Sequence, residues 1–281
     1  MTHHLSINEE EFSASFTQQP FLISHSLASH PLFEIDQLLE LCKELPQNSV
    51  EYNAGDIPKA LRNEETPLNG LSAEETVRRI AECKSWLVMK HVEQSSVYRE
   101  LLGECLDQIA PLAESIAPGM SSRQGFIFIT SPGSVTPYHI DPEHNFLLQV
   151  RGDKHITMFD GRNRTILRET DLEQMYMDAG RNLPFEEAWE EEAWKYTLAP
   201  GQGLHFPVTY PHYVRNGNEV SVSFSITFRT PDLDKRRMLY RRNAARRQSG
   251  GQPKPVGTHP VRETLAFQTH RVLRKAGLIS E

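Results

Sequence analysis

Hydrophobic and polar positions alternate with two different periodicities along this chain, and the periodicity changes near Gly125. Before it, apolar residues recur every three to four positions in segments 33–46, 72–83 and 97–119, a spacing that predicts amphipathic helices. After it, short apolar runs are separated by Gly, Pro and Asp-Gly turns, which predicts a series of antiparallel strands. We therefore expect a mainly β domain with flanking helices, an α+β arrangement.

The three predicted helices carry their own start and stop signals. Pro46 ends the first helix, and Ser72 with Glu75 has the capping-box spacing that opens the second. The third helix is expected to bend or end near Pro111, because proline lacks the N–H that a helix interior needs. These helices are expected to serve as packing elements.

The last predicted strand, EVSVSFSITF, has two unlike faces. One carries hydroxyls and the other is apolar: Ser221, Ser223, Ser225 and Thr227 against Val222, Phe224, Ile226 and Phe228. In an ordinary sandwich the hydroxyl face would lie in water. Because the N-terminal helices can cover an apolar outer face, we favour a barrel in which the hydroxyls line the lumen.

The chain becomes strongly basic after the last strand. Between residues 235 and 275 there are twelve Lys or Arg and one acid, a local net charge of about +11 in a chain of net charge −7. Helices are predicted on both sides of the GGQPKP loop, and the second has five candidate buried positions: Val261, Leu265, Phe267, Val272 and Leu273. The segment is expected to balance the acidic body or to form a homodimer contact, and nucleic-acid binding is judged unlikely.

These patterns divide the chain into three regions. We expect a helical region at 1–118, a β core at 119–231 with an insert at 163–193, and a basic helical segment at 232–281. The chain has no apolar run of about 18 residues and no secretory leader pattern, so no membrane association is expected. Its three cysteines have no CxxC spacing, which favours a reducing, cytoplasmic location.

A candidate metal site lies in the stretch TPYHIDPEHNFLLQVRGDK, residues 136–154. His139 and Asp141 are two positions apart, so on a strand they point to the same side. They supply two-thirds of the two-His-one-carboxylate triad that holds Fe(II), although alone the pair could equally be a polar strand end. His212, which follows a Pro-bounded turn, is the favoured third ligand over His205.

Two further histidines, His144 and His155, remain weaker alternatives for the third ligand. The segment around His212 has Gly-x5-Pro followed by His-x3-Asn, which resembles the second motif of the cupin superfamily. The resemblance widens upstream, where the pattern Thr-Pro-x-His-x-Asp-x3-Asn-x3-Gln-x-Lys/Arg-Gly-x-Lys is matched in spacing at eight positions: Thr136, His139, Asp141, Asn145, Gln149, Arg151, Gly152 and Lys154.

This pattern is similar to that of the JmjC-like and cupin-like iron(II)/2-oxoglutarate hydroxylases, especially the subgroup containing the asparaginyl hydroxylase of hypoxia-inducible factor. The match covers residues 123–230. It implies a double-stranded β-helix (jelly-roll) core, with Fe(II) held by His139, Asp141 and His212.

The resemblance also implies a site for 2-oxoglutarate as co-substrate. Lys154 would pair with its distal carboxylate, helped by Thr136 and Asn145, because a dianionic keto acid needs a cation at the end away from the metal. The chain departs from the family at Ser225, where the asparaginyl hydroxylase has an asparagine. Arg229 on the same strand is the alternative carboxylate anchor.

The function implied is a 2-oxoglutarate-dependent dioxygenase, a hydroxylase that uses O2 and acts on a peptide side chain or a small molecule. Two alternatives stay open: a cupin-type metal protein that does not use 2-oxoglutarate, and a nucleic-acid-binding regulatory protein acting through the basic segment. The insert, whose Phe185, Trp189 and Ala193 fall on one helical face, is expected either to wall the active-site mouth with its glutamates and aromatic residues or merely to cover the barrel.

Overall fold

The structure is a computed structural model that describes residues 3–60 and 67–278. Within these ranges the strands are β1 (Leu5–Ser6), β2 (Leu22–His25), β3 (Val50–Ala54), β4 (Ser85–Lys90), β5 (Ser121–Thr130), β6 (Val135–His139), β7 (His144–Arg151), β8 (Lys154–Met158), β9 (Trp194–Leu198), β10 (Gln202–Phe206), β11 (His212–Asn216) and β12 (Ser221–Arg229). The α-helices are α1 (Glu9–Ser15), α2 (Ile35–Glu44), α3 (Ala73–Arg78), α4 (Ser96–Glu114), α5 (Glu169–Tyr176), α6 (Pro231–Gln248) and α7 (Pro260–Lys275).

The strands form two antiparallel sheets. The larger has the order β1-β2-β10-β7-β12-β5-β4-β3, and the smaller has the order β6-β11-β8-β9. From β5 to β12 the chain passes back and forth between the two sheets, which is the connectivity of a double-stranded β-helix, or jelly roll. The predicted fold class is confirmed.

The helical layer covers the outer face of the larger sheet. Val222, Phe224 and Ile226 of β12 belong to one buried cluster with Leu38 of α2 and Ile109 of α4. The alternate residues of β12, its serines and Thr227, are buried on the opposite face. As predicted, the apolar row faces the helices and the hydroxyl row faces the space between the sheets.

Several local predictions were wrong. The first third of the chain contains four strands as well as helices, and β1–β4 extend both edges of the larger sheet. These strands have two to six residues, so their stability comes from pairing with distant strands, such as β4 with β5. Helix α4 does not end at Pro111 but continues to Glu114, with Ile109 and Ala113 buried on either side of the proline; the predicted bend stays a prediction.

The insert and the closing helix also differ from expectation. Residues Glu187–Glu192 form a 3₁₀ helix rather than an α-helix, although Phe185, Trp189 and Ala193 do pack together against the outer face of the smaller sheet. On α7, three of the expected buried residues are exposed: Val261 (73%), Leu265 (63%) and Val272 (66%). Helix α7 contacts the rest of the chain mainly through α6, so one apolar face has no covering among the described residues. None of the described helices is long and apolar enough to cross a lipid bilayer.

Candidate active site

The three predicted metal ligands meet at one end of the smaller sheet. His139 ends β6, His212 begins β11, and the two residues are register partners in the antiparallel pair. Asp141 lies two residues beyond β6, with its Oδ2 4.0 Å from Nε2 of His139 and 3.8 Å from Nε2 of His212. One ligand atom from each residue lies within 4.8 Å of the other two.

Both imidazoles are oriented by the backbone. The Nδ1–H of His139 donates to the carbonyl of Pro137 at 2.7 Å, and that of His212 donates to the carbonyl of Tyr210 at 3.0 Å. Because a carbonyl can only accept, each hydrogen bond leaves the Nε2 lone pair free on the side that faces Asp141. This is the tautomer that a metal ligand needs.

The turn before His212 is fixed to the carboxylate ligand. Thr209 has a φ of 62°, an uncommon conformation for a β-branched residue. Its N–H donates to the backbone carbonyl of Asp141 at 2.8 Å. Backbone strain of this kind persists where the surroundings demand it, and here it brings the third ligand opposite the first two.

The pKa values of Asp141 and His212 are shifted in directions that favour binding of a cation. Burial alone would raise the pKa of Asp141, but His139, Arg181 and His212 together lower it below its usual value. Burial, with His139 nearby, lowers the pKa of His212 to about 3. Asp141 is therefore a carboxylate and His212 a neutral imidazole at neutral pH, the protonation states that bind metal.

Arg181 is a site residue that the sequence did not indicate. Its Nη1 donates to Oδ1 of Asp141 at 2.9 Å, and its Nη2 lies 4.0 Å from Oε1 of Glu143. The backbone of 181–183 runs beside β6: the N–H of Ile140 donates to the carbonyl of Arg181, and Asn182 pairs with His139. No local pattern in the insert marks this pairing.

Lys154 is a buried cation without a counter-charge. It is 4% exposed, and among the described residues its ammonium forms no ion pair or hydrogen bond; its Nζ lies 5.8 Å from the centre of the Phe128 ring. Burial lowers its pKa to about 7. The preceding turn needs Gly152, since φ is +66° there and a Cβ would come within 2.5 Å of the Val220 carbonyl.

The remaining predicted co-substrate residues also face the space between the sheets. Asn145 and Ser225 lie on neighbouring strands, and the Ser225 hydroxyl donates to Oδ1 of Asn145 at 2.8 Å. Both line a narrow cleft beside Asp141, whose other walls are Phe126, Phe128, Glu143, Arg181 and Thr227. Thr136 is half-buried and pairs with Val214, a member of the cluster between the sheets.

The alternative ligands lie elsewhere. His144 and His205 are buried among phenylalanines, including Phe16, on the helix-covered face of the larger sheet. His155 is exposed and bonds Thr197. Arg229, the alternative carboxylate anchor, pairs with Asp234 at 3.1 Å.

Gln149 is likewise engaged away from the metal ligands. Its amide donates to Ser221 and to the carbonyls of Arg151 and Gly152, and its oxygen accepts from Ser223. It therefore fixes the turn before Lys154 rather than the imidazoles.

The insert contributes to the site by a different segment from the one expected. Glu190 accepts from Lys59 and from the hydroxyl of Tyr213, both at 2.6 Å, on the outer face of the smaller sheet. Tyr176 stacks on Tyr240 at 5.4 Å in the same outer cluster. The glutamates thus cover the barrel, and residues 181–183 are the part that reaches the metal-binding strand.

Fold and side chains together define a class: a jelly-roll protein with a candidate mononuclear metal centre at one end of its barrel. Two imidazoles and one carboxylate suit a divalent first-row metal and leave coordination positions open. Residues 42–234 match the family model described as "Cupin-like domain". The chain belongs to this cupin-like family.

Curated relatives match a shorter part of the chain. It is 35% identical over 102 residues to the lysine-specific demethylase JMJ30 of Arabidopsis thaliana, and 32% identical over 105 residues to lysine-specific demethylase 8 of Xenopus tropicalis. Each alignment covers 34% of this chain but only 23% and 22% of the relative. The chain thus spans about a quarter of the length of the curated relatives that it matches.

Solved structures share the fold over nearly the whole chain. The ribosomal oxygenase YcfD of Escherichia coli superposes with a TM-score of 0.52 at 16% identity, covering 97% of this chain and 67% of the other. A second structure of YcfD gives a TM-score of 0.56. At this identity the likeness concerns the fold alone.

Proposed function

We propose that this cupin-like protein is an Fe(II)- and 2-oxoglutarate-dependent oxygenase, and that its reaction is a hydroxylation. The observation that carries the proposal is a site with two complementary parts. One part is the cluster of His139, Asp141 and His212. The other is the unpaired ammonium of Lys154, which lies 5.8 Å from the centre of the Phe128 ring, and Phe128 and Asp141 line the same narrow cleft. A metal ion and a dianion satisfy both parts together.

The donor set fits ferrous iron. His139 and His212 would each bind through Nε2, and Asp141 through Oδ2, while its Oδ1 stays bonded to Arg181. Holding one carboxylate oxygen in this way favours binding through a single oxygen, which keeps the remaining positions on the metal open.

The charged and polar groups of the site suit 2-oxoglutarate. Lys154 would receive the distal carboxylate, and the Asn145–Ser225 pair in the adjoining cleft would bind polar atoms near the metal, with Thr136 on the opposite wall. Arg229 would serve as the alternative anchor only if it left its ion pair with Asp234. The apolar residues between the sheets, Ile156, Val214 and Leu204 among them, exclude water, which strengthens the attraction between Lys154 and a carboxylate.

When bound, iron and 2-oxoglutarate supply the oxidative chemistry: O2 is consumed, 2-oxoglutarate becomes succinate and CO2, and one oxygen atom enters a C–H bond of the substrate. The protein's own part is to orient the three ligands, to neutralise the co-substrate and to keep water from the lumen. Arg181 and Glu143, at the open side of the cleft, would meet the primary substrate first.

The primary substrate is proposed to be a protein side chain or a small molecule. The curated relatives are named as lysine-specific demethylases and the structural neighbour as a ribosomal oxygenase, so peptides are the first class to test. The narrower resemblance to the asparaginyl hydroxylase of hypoxia-inducible factor stays a prediction, as does a cytoplasmic location.

The direct test is binding to metal-free protein under anaerobic conditions. We expect one Fe(II) per chain, and 2-oxoglutarate should bind much more tightly once the metal is present. His139→Ala should abolish metal binding, whereas the matched control His155→Ala, on β8 of the same sheet, should leave it unchanged. Equal metal binding by the two variants would contradict the proposed centre.

The second candidate is a cupin-type metal protein that does not use 2-oxoglutarate. The same metal ligands would serve it, so Lys154 is the residue that separates the two functions. In an oxygenase, Lys154→Ala should keep metal binding and lose succinate formation. Metal-dependent activity towards another substrate, unaffected by Lys154→Ala, would favour the second candidate.

We also propose that α7 forms a homodimer contact. Its exposed apolar residues Val261, Leu265 and Val272 lie on one side of the helix, and covering them would remove apolar surface from water. Light scattering tests this directly: we expect a dimer that Val261→Asp with Leu265→Asp converts to a monomer. A monomeric parent protein would refute the contact.

A further inference from the structure

The basic C-terminal segment forms a concave site of its own, away from the candidate active site. Helix α6, the loop after it and the start of α7 enclose a groove of about 540 Å³. Four cationic side chains line it: Arg242 and Arg246 from α6, Lys254 from the loop, and Arg262 from α7.

These four cations have no partners within the described chain. Arg242, Arg246, Lys254 and Arg262 form no ion pair and no side-chain hydrogen bond with any residue that the structure describes. Clustering like charges around one concavity is unfavourable unless an anion joins them. The groove therefore has the electrostatics of an anion-binding site.

The single acid in the groove does not neutralise it. Glu263 is 8% exposed, and its Oε1 accepts the backbone N–H groups of Gly257 at 2.9 Å and His259 at 3.2 Å. Its carboxylate is used to cap the start of α7. The positive charge of the groove thus stays available to a ligand.

Two other arginines of α6 form ion pairs with acidic residues of the insert. On the face towards the insert, Arg247 donates to both carboxylate oxygens of Glu173, at 2.8 and 3.1 Å, and Arg241 lies 4.0 Å from Asp178. Charge balance with the acidic body, which the sequence favoured as the role of this segment, applies to that face. It does not apply to the groove.

We propose that the groove binds the phosphate backbone of single-stranded nucleic acid. Guanidinium groups match phosphate oxygens in planar, two-point contacts, and three of the four cations are arginines. Arg242 and Arg246 are one helical turn apart on the same face, so successive phosphates can meet successive guanidiniums. The lining contains no Phe, Tyr or Trp on which bases would stack, so the contacts go to phosphates, which carry no sequence information.

Salt dependence gives the expected magnitude. Each phosphate neutralised on a single strand contributes about −0.7 to the slope of log K against log salt, so four contacts predict a slope of about −3. The triple variant Arg242→Gln, Arg246→Gln and Arg262→Gln should reduce the slope to about −1. All three residues are exposed at the groove, so the fold should be retained; circular dichroism checks this.

The experiment is fluorescence anisotropy of the full chain with a labelled 20-nucleotide RNA across a salt series. A matched control removes the same charge from the body, through Lys43→Gln, Arg78→Gln and Arg123→Gln. We expect the control to bind like the parent and the groove triple to lose most of the affinity. No binding at low salt, equal loss in both triples, or equal competition by poly-glutamate, which would indicate an acidic protein partner, would each overturn the proposal. None of these readouts depends on oxygenase activity.

Discussion

Replacing Lys154 with methionine is expected to stabilise the protein and to weaken its binding of 2-oxoglutarate. The ammonium is buried without a partner in the described chain, and burial lowers its pKa from 10.5 to about 7. Methionine keeps the length of the side chain and removes the charge. Burying this unpaired charge therefore destabilises the free protein, and an anionic ligand bound to Lys154 would offset that free-energy cost.

The size of that cost follows from linkage. Between pH 7 and 10.5 the unfolded chain holds the Lys154 proton more tightly than the folded chain, so stability rises with pH in this window. The difference of about 3.5 pKa units corresponds to about 5 kcal/mol when Lys154 is fully protonated in the folded chain. Lys154→Met should recover a large part of it and should flatten the rise of stability with pH.

Two assays give the result. Urea unfolding at pH 7 and pH 9 measures the stability, and calorimetric titration of the metal-loaded protein measures co-substrate affinity, which should fall at least about 100-fold for loss of a buried charge pair. Lys195→Met, on the neighbouring β9 and 60% exposed, is the matched control and should change neither. A Lys154→Met protein that is less stable than its parent, or that binds 2-oxoglutarate as well, would refute the reasoning.

Three further predictions concern protons and the metal. A bound carboxylate raises the pKa of Lys154 above 7, so 2-oxoglutarate affinity should fall up to tenfold per pH unit above pH 7, with proton uptake measurable by calorimetry in buffers of different ionisation enthalpy. Arg181→Gln should weaken Fe(II) binding about 10–100-fold in anaerobic titration, because Asp141 loses the group that orients it. Arg168→Gln, in the same insert, should not weaken it, and equal Fe(II) affinities of the two variants would exclude an orienting role for Arg181. Burial lowers the pKa of His144 to about 4, so the free energy of unfolding should fall by about 3 kcal/mol as pH drops from 6.5 through 4. His144→Phe should remove this loss in urea unfolding, and a pH profile of stability identical to that of the parent would contradict the prediction.

Much of the fold was predictable because the β core has strong local patterns. The two-residue alternation of β12, with hydroxyls on one face and apolar residues on the other, predicted correctly which side meets the helices. The spacing of His139 and Asp141, and the turn before His212, predicted three candidate ligands that the structure brings together. These features depend on strand periodicity and turn chemistry, which are local.

What the sequence did not reveal depends on distant contacts. Arg181 reaches Asp141 only because residues 181–183 pair with β6, 40 residues away in the chain, and nothing in the insert marks that pairing. The short strands β1–β4 form only against partners from the core. The periodicity of α7 predicts an apolar face but not whether anything covers it, and the structure leaves Val261 exposed.

Succinate release is the measurement that tests the central claim most directly. Protein loaded anaerobically with Fe(II) and 2-oxoglutarate is exposed to O2, and succinate is quantified with and without a peptide library. We predict succinate from the parent protein and from His155→Ala, and none from His139→Ala. Absence of succinate from correctly folded, iron-loaded parent protein under all these conditions would contradict the assignment as a 2-oxoglutarate-dependent oxygenase.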